Sequence, residues 1–408
     1  MHGVGGKGMR ILSVTAQKPD GTGSGVYLTE LVKGLDKLGH TQAVVAGVTK
    51  EDAIILPQSV QCYPVYYKTE ELPFPVCGMS DEMPYESTRY CDMTESMTVQ
   101  FEQAFKEKIC AVVEAFSPDV ILCHHLYYLT SLIRAQFPDK KIYGFCHGSD
   151  MRQIKKNPWQ RDFVRNQIPK LDTIFALHNE QKKEICDYYG CPEEKVTVIG
   201  TGYNGNVFYR RNELKEEHDE LRLVFVGKIS EKKGVKSLLR SMKHMGDYEK
   251  NVELSLIGGS GNEREYKEIQ SIAKQCDCKV HFCGRVSQDE LVSTLNKGDV
   301  FVLPSFYEGL PLVIIEALAC GLNVVCTDLS GIKDWLSFAL PEHEVVFVKP
   351  PQFYNQDEPV EETLPDFEKR LAEAICLAKN NRVPEAEQIQ RLSWDGLCKR
   401  VEKTVSQK

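Results

Sequence analysis

The chain has 408 residues, of which 42% are hydrophobic and 26% are charged, and its formal net charge is -8. This length is more than one hydrophobic core usually serves, so it favours two domains of about 200 residues each. The negative charge disfavours a general nucleic-acid-binding protein. No segment approaches the roughly 20 uninterrupted apolar residues that a membrane-spanning helix needs.

The cysteines and histidines do not indicate a metal site or a disulfide framework. The 15 cysteines include no CxxC pair, and several lie within apolar segments, as is typical of reduced core thiols in a cytoplasmic protein. The ten histidines form no HExxH motif and no cluster with zinc spacing. His124 and His125 are adjacent, and we expect them to point to opposite faces of a strand end. The sequence therefore predicts a cytoplasmic protein without a bound metal.

The first eight residues, MHGVGGKG, lack the apolar segment of a signal peptide. Met9 is a second candidate start.

A strand, a glycine-containing loop, a helix and a second strand open the chain. We predict the first strand over Arg10 to Ala16, the helix over Val26 to Lys37 and the second strand over Gln42 to Ala46. This order is typical of a doubly wound α/β domain, in which ligands bind beyond the carboxyl ends of the strands. The loop sequence GTGSG differs from the GxGxxG fingerprint, which disfavours a nicotinamide cofactor. Its glycines fit a plain tight turn as well as a ligand-binding loop.

The middle of the chain alternates irregular and regular segments. Residues 57–97, rich in proline and tyrosine, are the least regular, and such a long loop is usually functional or flexible. A predicted strand, Lys141 to Cys146, then ends in His147-Gly148-Ser149-Asp150, where α/β enzymes place their chemistry. Residues 152–170 follow as a basic stretch. They fit a peripheral membrane surface, with a solvated helix face as the alternative.

A charged connector, Glu213 to Glu220, precedes the predicted strand Leu221 to Val226. Lys228 and Lys233 lie in the loop after that strand, where two cations can neutralise a diphosphate. Without a ligand, both lysines fit an ordinary solvated surface. Two further predicted strands end in Gly258-Gly259 and in Gly284-Arg285-Val286.

The stretch from Asp299 to Asp328 is predicted to contain a strand over Val300 to Leu303, a loop, a short helix and a second strand over Asn323 to Cys326. Pro311 fits the first helical position and Gly321 the stop after the last turn. The helix is apolar except for Glu316, and burying an unpaired carboxylate costs several kcal/mol or forces protonation. A partner within the protein and a ligand hydroxyl both satisfy this requirement. Glu308 precedes the helix, whose N-terminal N–H groups and dipole attract anions.

The segment PSFYEGLPLVIIEALACG resembles the E-x7-E signature of the retaining glycosyltransferases of family 4. This resemblance implies the α/β GT-B fold, with two Rossmann-like doubly wound domains facing each other across a cleft. It implies an acceptor-side domain over residues 1–212, completed by the C-terminal helix 385–408, and a nucleotide-sugar-binding domain over residues 213–384. We predict that 385–406 is one continuous helix.

The resemblance also implies roles on the donor side. Glu316 would hold the nucleotide ribose, Glu308 the sugar hydroxyls, and the backbone of Gly309 and Leu310 a phosphate. Lys228 and Lys233 match the G-R-x4-K-G element that stabilises the departing diphosphate, although Lys228 replaces the usual arginine. The remaining donor contacts implied by the resemblance are Gly23, Ser24, Gly25, Gly258, Gly259, Arg285 and Val286.

The HGSD turn resembles the family's HGxD turn, which implies that His147 contacts the transferring sugar. Asp150, Arg89 and Tyr85 are candidate acceptor contacts, with surface packing as the alternative for Arg89 and Tyr85.

Together these features predict a hexosyltransferase that uses a nucleotide-diphosphate sugar, UDP-sugar by default, and retains the anomeric configuration. The expected acceptor is a hydroxyl on a lipid, a glycan or a small hydroxy acid, and neither a metal nor another cofactor is expected. The alternatives are a sugar-nucleotide epimerase or phosphorylase on the same fold, and a catalytically idle nucleotide-sugar-binding protein.

Overall fold

The computed structural model describes residues 8–19, 21–80, 83–215, 218–246, 249, 251–308, 310–329, 331–354 and 358–407. The chain divides into two compact units, which we call unit 1 (Met1–Thr201 with Trp394–Lys408) and unit 2 (Gly202–Ser393). The sequence placed these two divisions after residues 212 and 384.

Unit 1 is built on a parallel sheet with the strand order β3-β2-β1-β6-β7-β8-β9. Its strands are β1 (Arg10–Thr15), β2 (Thr41–Val48), β3 (Gln61–Tyr66), β4 (Cys77–Gly78), β5 (Thr88–Arg89), β6 (Val120–His124), β7 (Lys141–Phe145), β8 (Thr173–Ala176) and β9 (Val196–Val198). Its helices up to the division are α1 (Gly23–Lys37), α2 (Glu95–Phe116), α3 (Tyr128–Gln136), α4 (Ser149–Lys156), α5 (Arg161–Gln167) and α6 (Asn179–Tyr189). Strands β4 and β5 form a separate two-stranded ladder.

Unit 2 is built on a second parallel sheet with the order β12-β11-β10-β13-β14-β15. Its strands are β10 (Leu221–Val226), β11 (Val252–Ile257), β12 (Lys279–Gly284), β13 (Val300–Leu303), β14 (Asn323–Thr327) and β15 (Val346–Val348). Its helices are α7 (Val235–Met245), α8 (Glu263–Ala273), α9 (Gln288–Lys297), α10 (Leu312–Cys320), α11 (Ile332–Ala339), α12 (Leu364–Ala378) and α13 (Ala386–Gln390). The last helix, α14 (Trp394–Ser406), belongs to unit 1.

In each sheet the direction in which successive strands are added reverses at the centre. In unit 1 the chain runs outward from β1 to β2 and β3, then returns to β6 on the other side of β1. In unit 2 the same reversal separates β10 from β13. The crevice beyond the carboxyl ends of two such strands is where open α/β sheets bind ligands. Both crevices are therefore candidate sites.

The prediction of a glycine loop before Val26 is wrong, because Gly23, Ser24 and Gly25 form the first turn of α1. Thr22 is the N-cap residue, and its hydroxyl accepts the N–H of Gly25 at 3.1 Å. Such a cap offsets the poor helix propensity of glycine. The three residues therefore reach the ligand edge as a helix N-terminus.

Two other expectations about regular structure are wrong. Residues 57–97 contain β3, which pairs with β2 at the edge of the sheet, where Pro64 is tolerated because an edge strand need not donate every N–H. The predicted single helix 385–406 is broken between α13 and α14. Ser393 pairs there with Tyr203 in an isolated bridge, and a helical conformation would remove that pairing.

Helix α14 packs closely on α1 within unit 1. A Cβ added at Gly34 would lie 2.2 Å from Sγ of Cys398, so only a glycine permits this contact. The Tyr27 and Trp394 rings meet edge to face with centroids 5.1 Å apart. None of the helices in the described ranges combines the length and the apolar character needed to cross a membrane.

Candidate functional site

The turns that follow β10, β11 and β12 in unit 2 are joined to one another by backbone hydrogen bonds. The N–H of Gly227 donates to Ile257 O at 2.9 Å, and the N–H of Gly258 donates to Gly284 O at 2.8 Å. Gly258 has φ +136, and an added Cβ would lie 1.9 Å from Gly227 O. Only glycine fits this backbone. The result is a continuous layer of turns at the carboxyl edge of the sheet, which we call the donor turns (residues 227–234, 258–261 and 284–286).

Two basic side chains lie along the donor turns. Lys228 is exposed, and its Nζ is 3.1 Å from the position of a Cβ added at Gly261. Nε of Arg285 likewise lies 3.1 Å from the position of a Cβ added at Gly259. Among the described residues, the Lys228 ammonium has no hydrogen-bond or carboxylate partner. Its charge is therefore available to an anion.

Lys233 and Glu308 form an ion pair, with Nζ and Oε1 2.7 Å apart. The Ser305 hydroxyl donates to the same carboxylate oxygen at 2.7 Å. The two loops that carry the pair are held together because the N–H of Phe306 donates to Lys232 O at 3.0 Å. The carboxylate of Glu308 is thus oriented before any ligand binds, and no described residue bonds its second oxygen, Oε2. That oxygen can accept a hydroxyl.

Glu316 lies on α10 with its carboxylate unpartnered among the described residues. Burial raises the pKa of Glu316 to about 7. Of the two explanations for this carboxylate, a partner within the protein has no support in the described residues. A hydroxyl-bearing ligand would supply the missing hydrogen bonds.

The remaining predicted donor residues near α10 differ in position. Pro311 is the N-cap residue, with ψ 102, rather than the first helical residue as predicted. Leu310 is half-buried and packs on the core, as does Val286. Gly309 lies outside the described residues.

In unit 1 three histidines meet at the carboxyl ends of β6 and β7. Nδ1 of His124 is 3.1 Å from Nε2 of His147, and their rings are stacked at 9°. Nε2 of His125 is 3.0 Å from the hydroxyl of Ser24. We call His124, His125, His147 and Ser24 the histidine cluster. It joins the end of β6, the HGSD turn and the first turn of α1.

The histidine cluster is uncharged at neutral pH. Burial, followed by the charge of His125, lowers the pKa of His124 to about 3. Burial, with the nearby His125 and His124, lowers the pKa of His147 well below its usual range. Burial also lowers the pKa of His125, although Asp150 opposes this shift. Neutral imidazoles can donate and accept hydrogen bonds, but they do not supply a positive charge.

Asp150 supports the turn that carries His147. Its side chain is fully buried. The carboxylate accepts the N–H of Leu126 at 2.9 Å and the N–H of His147 at 3.1 Å. A fully buried carboxylate with these bonds cannot reach an acceptor from solution. Asp150 therefore has a positioning role in the described structure.

A cleft of about 430 Å³ lies beside the histidine cluster in unit 1. Its lining combines predicted residues of α1 and the HGSD turn with a segment of the region 57–97. The lining residues are Gln17, Thr22, Gly23, Ser24, Met79, Ser80, Met83, Pro84, His147 and Ser149. The cleft is lined by neutral polar and apolar side chains, which suits an uncharged hydroxyl-bearing group.

The other predicted acceptor and donor residues of unit 1 do not line this cleft. Arg89 is exposed and is paired with Asp92 at 2.7 Å. Tyr85 packs with its ring 4.7 Å from Nζ of Lys18. Gly25 is buried in the first turn of α1. For Arg89 and Tyr85 the contacts agree with the surface-packing alternative.

Sequence reasoning missed the association of His124 and His125 with His147. The available signal was that both follow an apolar strand at its carboxyl end, as HGSD does on the next strand. No group of three or more His, Cys, Asp or Glu side chains in the described ranges has the arrangement of a metal site.

Comparisons with known proteins agree with this geometry. The family model described as Glycosyltransferase Family 4 matches residues 21–205, and the model described as Glycosyl transferases group 1 matches residues 209–349. An uncharacterized glycosyltransferase of Methanocaldococcus jannaschii is 30% identical over 318 residues, covering 72% of this chain and 76% of the relative. The amylovoran biosynthesis glycosyltransferase AmsK of Erwinia amylovora is 30% identical over 262 residues, covering 60% and 61%.

Among solved structures, Anabaena HepE in complex with UDP superposes with a TM-score of 0.61 at 14% identity. The match covers 98% of this chain and all of that one. This likeness confirms the predicted fold of two Rossmann-like domains. The chain therefore belongs to glycosyltransferase family 4, with the GT-B fold, and is an enzyme of the hexosyltransferase kind.

Proposed function

We propose that this enzyme transfers a hexose-type sugar from a UDP-sugar to a hydroxyl acceptor, with retention at the anomeric carbon. The observation that carries the proposal is the arrangement along the carboxyl edge of unit 2. There Lys233 is paired to an oriented Glu308, whereas the exposed Lys228 and the half-buried Glu316 have no partner within the described ranges. These groups suit a phosphate, a sugar hydroxyl and a ribose hydroxyl respectively.

The two lysines supply the charge that the leaving group needs. As the bond between the anomeric carbon and the diphosphate oxygen breaks, negative charge grows on the phosphate, and nearby fixed cations stabilise it. Lysine acts here as a point charge and lacks the paired N–H geometry of arginine. Lys228 would therefore neutralise the phosphate with less control over its orientation than the usual family residue.

The proposed transfer needs no carboxylate nucleophile. The acceptor oxygen forms its bond to the anomeric carbon on the face from which the diphosphate leaves, and the acceptor proton passes to a phosphate oxygen. Oε2 of Glu308 accepts a sugar hydroxyl in this scheme. The neutral His147 donates or accepts one further hydrogen bond to the sugar. Each group orients the reactants rather than forming a covalent intermediate.

UDP is the proposed nucleotide because the structurally similar Anabaena HepE is bound to UDP. A glycan acceptor is supported by the relative AmsK, which is named for amylovoran biosynthesis. Lipids and small hydroxy acids stay in the proposal. The neutral lining of the cleft beside the histidine cluster is compatible with the hydroxyl-bearing part of each.

Peripheral contact with the cytoplasmic face of a membrane through residues 152–170 is a further part of the proposal. Several cations of this stretch are already bound within unit 1. Lys155 pairs with Glu184, Arg161 donates to the carbonyls of Ile154 and Lys155, and Arg165 lies over Tyr188. These contacts favour the solvated-face alternative over a strong membrane contact.

A panel of nucleotide-sugars tests the donor assignment. We expect one UDP-sugar to raise the thermal midpoint and to be slowly hydrolysed, with release of UDP. Glu316→Gln should abolish both effects, whereas Glu263→Gln, on the exposed start of α8, should change neither. An absence of binding and hydrolysis across the panel would contradict the proposal.

The same assay separates the alternatives. Release of UDP with a free sugar supports transfer to water and hence a transferase. An intact nucleotide-sugar with an inverted sugar centre indicates an epimerase, and formation of a sugar phosphate when inorganic phosphate is added indicates a phosphorylase. Binding without any product indicates an idle nucleotide-sugar-binding protein.

A further inference from the structure

A second cavity, of about 460 Å³, lies in unit 2 at the edge of the sheet opposite to the donor turns. Asp299 and Asn323 line it, and these residues directly precede and begin strands β13 and β14. The donor turns follow the other ends of the strands. A four-residue strand spans roughly 13 Å. The cavity and the donor turns are therefore separated by about the length of a strand.

Basic side chains dominate this cavity, although the chain as a whole carries a net charge of -8. Two of its cations are already paired, Lys379 with Glu249 at 2.6 Å and Arg382 with Glu385 at 3.0 Å. The lining carboxylate of Asp299 is also engaged, because it accepts the N–H of Arg222 at 2.9 Å. The charged side chains that line the cavity are five cations and two carboxylates, so the lining carries an excess of positive charge.

Arg210, Arg211 and Lys215 line the same cavity without a carboxylate partner among the described residues. They come from the short segment that leads into β10. Concentrating like charges in a concave surface raises the local potential and attracts anions. This arrangement is unfavourable in the free protein unless another group supplies negative charge.

The position of Arg211 is fixed by buried contacts. The side chain of Asn296, which is 4% exposed, accepts the N–H of Arg211 at 2.6 Å and donates to Tyr209 O at 3.2 Å. The Arg211 guanidinium lies 4.9 Å from the centroid of the Tyr209 ring. Its Nε is shielded from solvent and has no acceptor among the described residues. Asn296 thus holds the backbone of Arg211 and Tyr209 contacts its guanidinium, while part of the hydrogen-bonding capacity of that guanidinium is unused.

The C-terminal end of α10 gives a separate reason for the positive charge of Arg210 to lie in this cavity. Its Nε lies 2.7 Å from the position of a Cβ added at Gly321, at the end of α10. The negative end of a helix dipole favours a cation there. This interaction accounts for Arg210, whereas no carboxylate in the described part of the chain pairs with Arg211 or Lys215.

We propose that this cavity binds a phosphate-bearing ligand at a site separate from the donor turns. Arginine recognises phosphate through paired N–H donors, and a lysine adds a mobile point charge. A phosphate or pyrophosphate group supplies several acceptor oxygens together with negative charge for these cations. The ligand is either a free phosphorylated metabolite or the headgroup of a phosphorylated lipid, since both present this chemistry.

Calorimetric titration of the full chain with inorganic pyrophosphate tests the proposal, first on the wild type and then on Lys228→Met, which lacks one cation of the donor turns. We expect saturable binding that persists in Lys228→Met. The double variant Arg211→Gln/Lys215→Gln should weaken it at least tenfold. The matched control Arg391→Gln/Lys243→Gln removes the same two charges from unit 2 outside the cavity and should bind as the wild type does.

A third variant separates phosphate recognition from folding. Arg211→Lys keeps the charge and loses the paired donors, so we expect intermediate affinity with an unchanged thermal midpoint. Equal binding by the wild type and the double variant, or no binding of pyrophosphate and no vesicle association, would overturn the proposal. Neither outcome depends on the donor assignment, which the Glu316→Gln variant tests.

Cosedimentation with phosphatidylglycerol vesicles distinguishes the two sources of phosphate. Pyrophosphate binding without vesicle association identifies a soluble ligand. Vesicle association that the double variant loses, and that the control variant keeps, identifies a lipid headgroup.

Discussion

Nδ1 of His124 lies 3.1 Å from Nε2 of His147, so one imidazole donates a hydrogen bond to the other. The second nitrogen of His124, Nε2, is buried and has no partner among the described residues. Because a buried N–H is costlier to leave unpaired than a lone pair, we infer that the Nδ1–H of His124 donates this hydrogen bond to Nε2 of His147. His147 then carries its own proton on Nδ1, where it can donate to a substrate oxygen.

The buried state of His124 predicts a loss of stability in acid. Its folded pKa of about 3 lies below the ordinary value of 6.5, so its contribution is complete above pH 6.5 and falls as the unfolded chain takes up a proton at lower pH. At pH 5 this loss is about 2 kcal/mol. Urea unfolding at pH 7 and pH 5 should show that His124→Phe loses less stability on acidification than the wild type does.

His244→Gln serves as the control for removing a histidine, and it should lose as much stability on acidification as the wild type. If His124→Phe also loses as much stability on acidification as the wild type, then His124 is not held neutral by burial.

The buried carboxyl of Glu316 predicts the opposite pH dependence. Burial raises its folded pKa to about 7 from an ordinary 4.5, so its cost is absent below pH 4.5 and complete above pH 7. Glu316→Gln should therefore be more stable than the wild type by about 3 kcal/mol at pH 8, and by less than about 1 kcal/mol at pH 5. Urea unfolding at both pH values measures this difference.

A gain in stability with a loss of UDP binding would identify Glu316 as a residue kept for binding at the expense of stability. An equal effect at the two pH values would show that the carboxyl is not responsible.

The charge of Lys228, which no described residue pairs, predicts a direct contribution to nucleotide affinity. Hydrogen bonds to charged groups contribute about 1.5–3 kcal/mol, so Lys228→Met should weaken UDP binding by roughly 10- to 100-fold. Lys228→Arg should bind at least as well as the wild type, because arginine adds paired donors. Calorimetric titration with UDP measures both variants.

Lys243→Met, on the exposed side of α7, controls for the loss of one positive charge from unit 2. Uridine binding should be unaffected in Lys228→Met, since uridine has no phosphate. If Lys228→Met lost the same affinity for uridine as for UDP, Lys228 would not contact the phosphate.

The close approach at Gly258 predicts strong sensitivity to a single methyl group. An added Cβ would lie 1.9 Å from Gly227 O at φ +136, so Gly258→Ala should destabilise unit 2 by about 3 kcal/mol or more. Gly246→Ala is the matched control, because no atom of the described residues lies within 4 Å of its added Cβ. Thermal unfolding of both variants checks the difference, and equal midpoints would contradict it.

Much of the fold followed from local sequence patterns. Strands β10 and β13 were predicted with their observed bounds, Leu221–Val226 and Val300–Leu303, because buried parallel strands are short apolar runs between turn residues. The family followed from the E-x7-E segment, whose residues are close in the chain. The spacing of Glu308 and Glu316 could therefore be recognised without knowledge of any distant contact.

Other features depended on contacts between residues far apart in the chain. The sequence did not predict that the helix would break at Ser393, because the break comes from pairing with Tyr203. Asp150 was expected at an acceptor, yet its carboxylate is used by the backbone of Leu126 and His147. A local pattern does not contain such partners.

By itself, the sequence determined the two parallel α/β sheets, the family and the residues at the carboxyl ends of the strands. The tertiary structure decided that His124 meets His147 and that Lys233 meets Glu308. It also placed Arg211 and Lys215 in one cavity at the opposite edge of the sheet. The reason is physical. Strand and helix formation is set by near neighbours, whereas burial and charge balance are set by the elements that pack around each side chain.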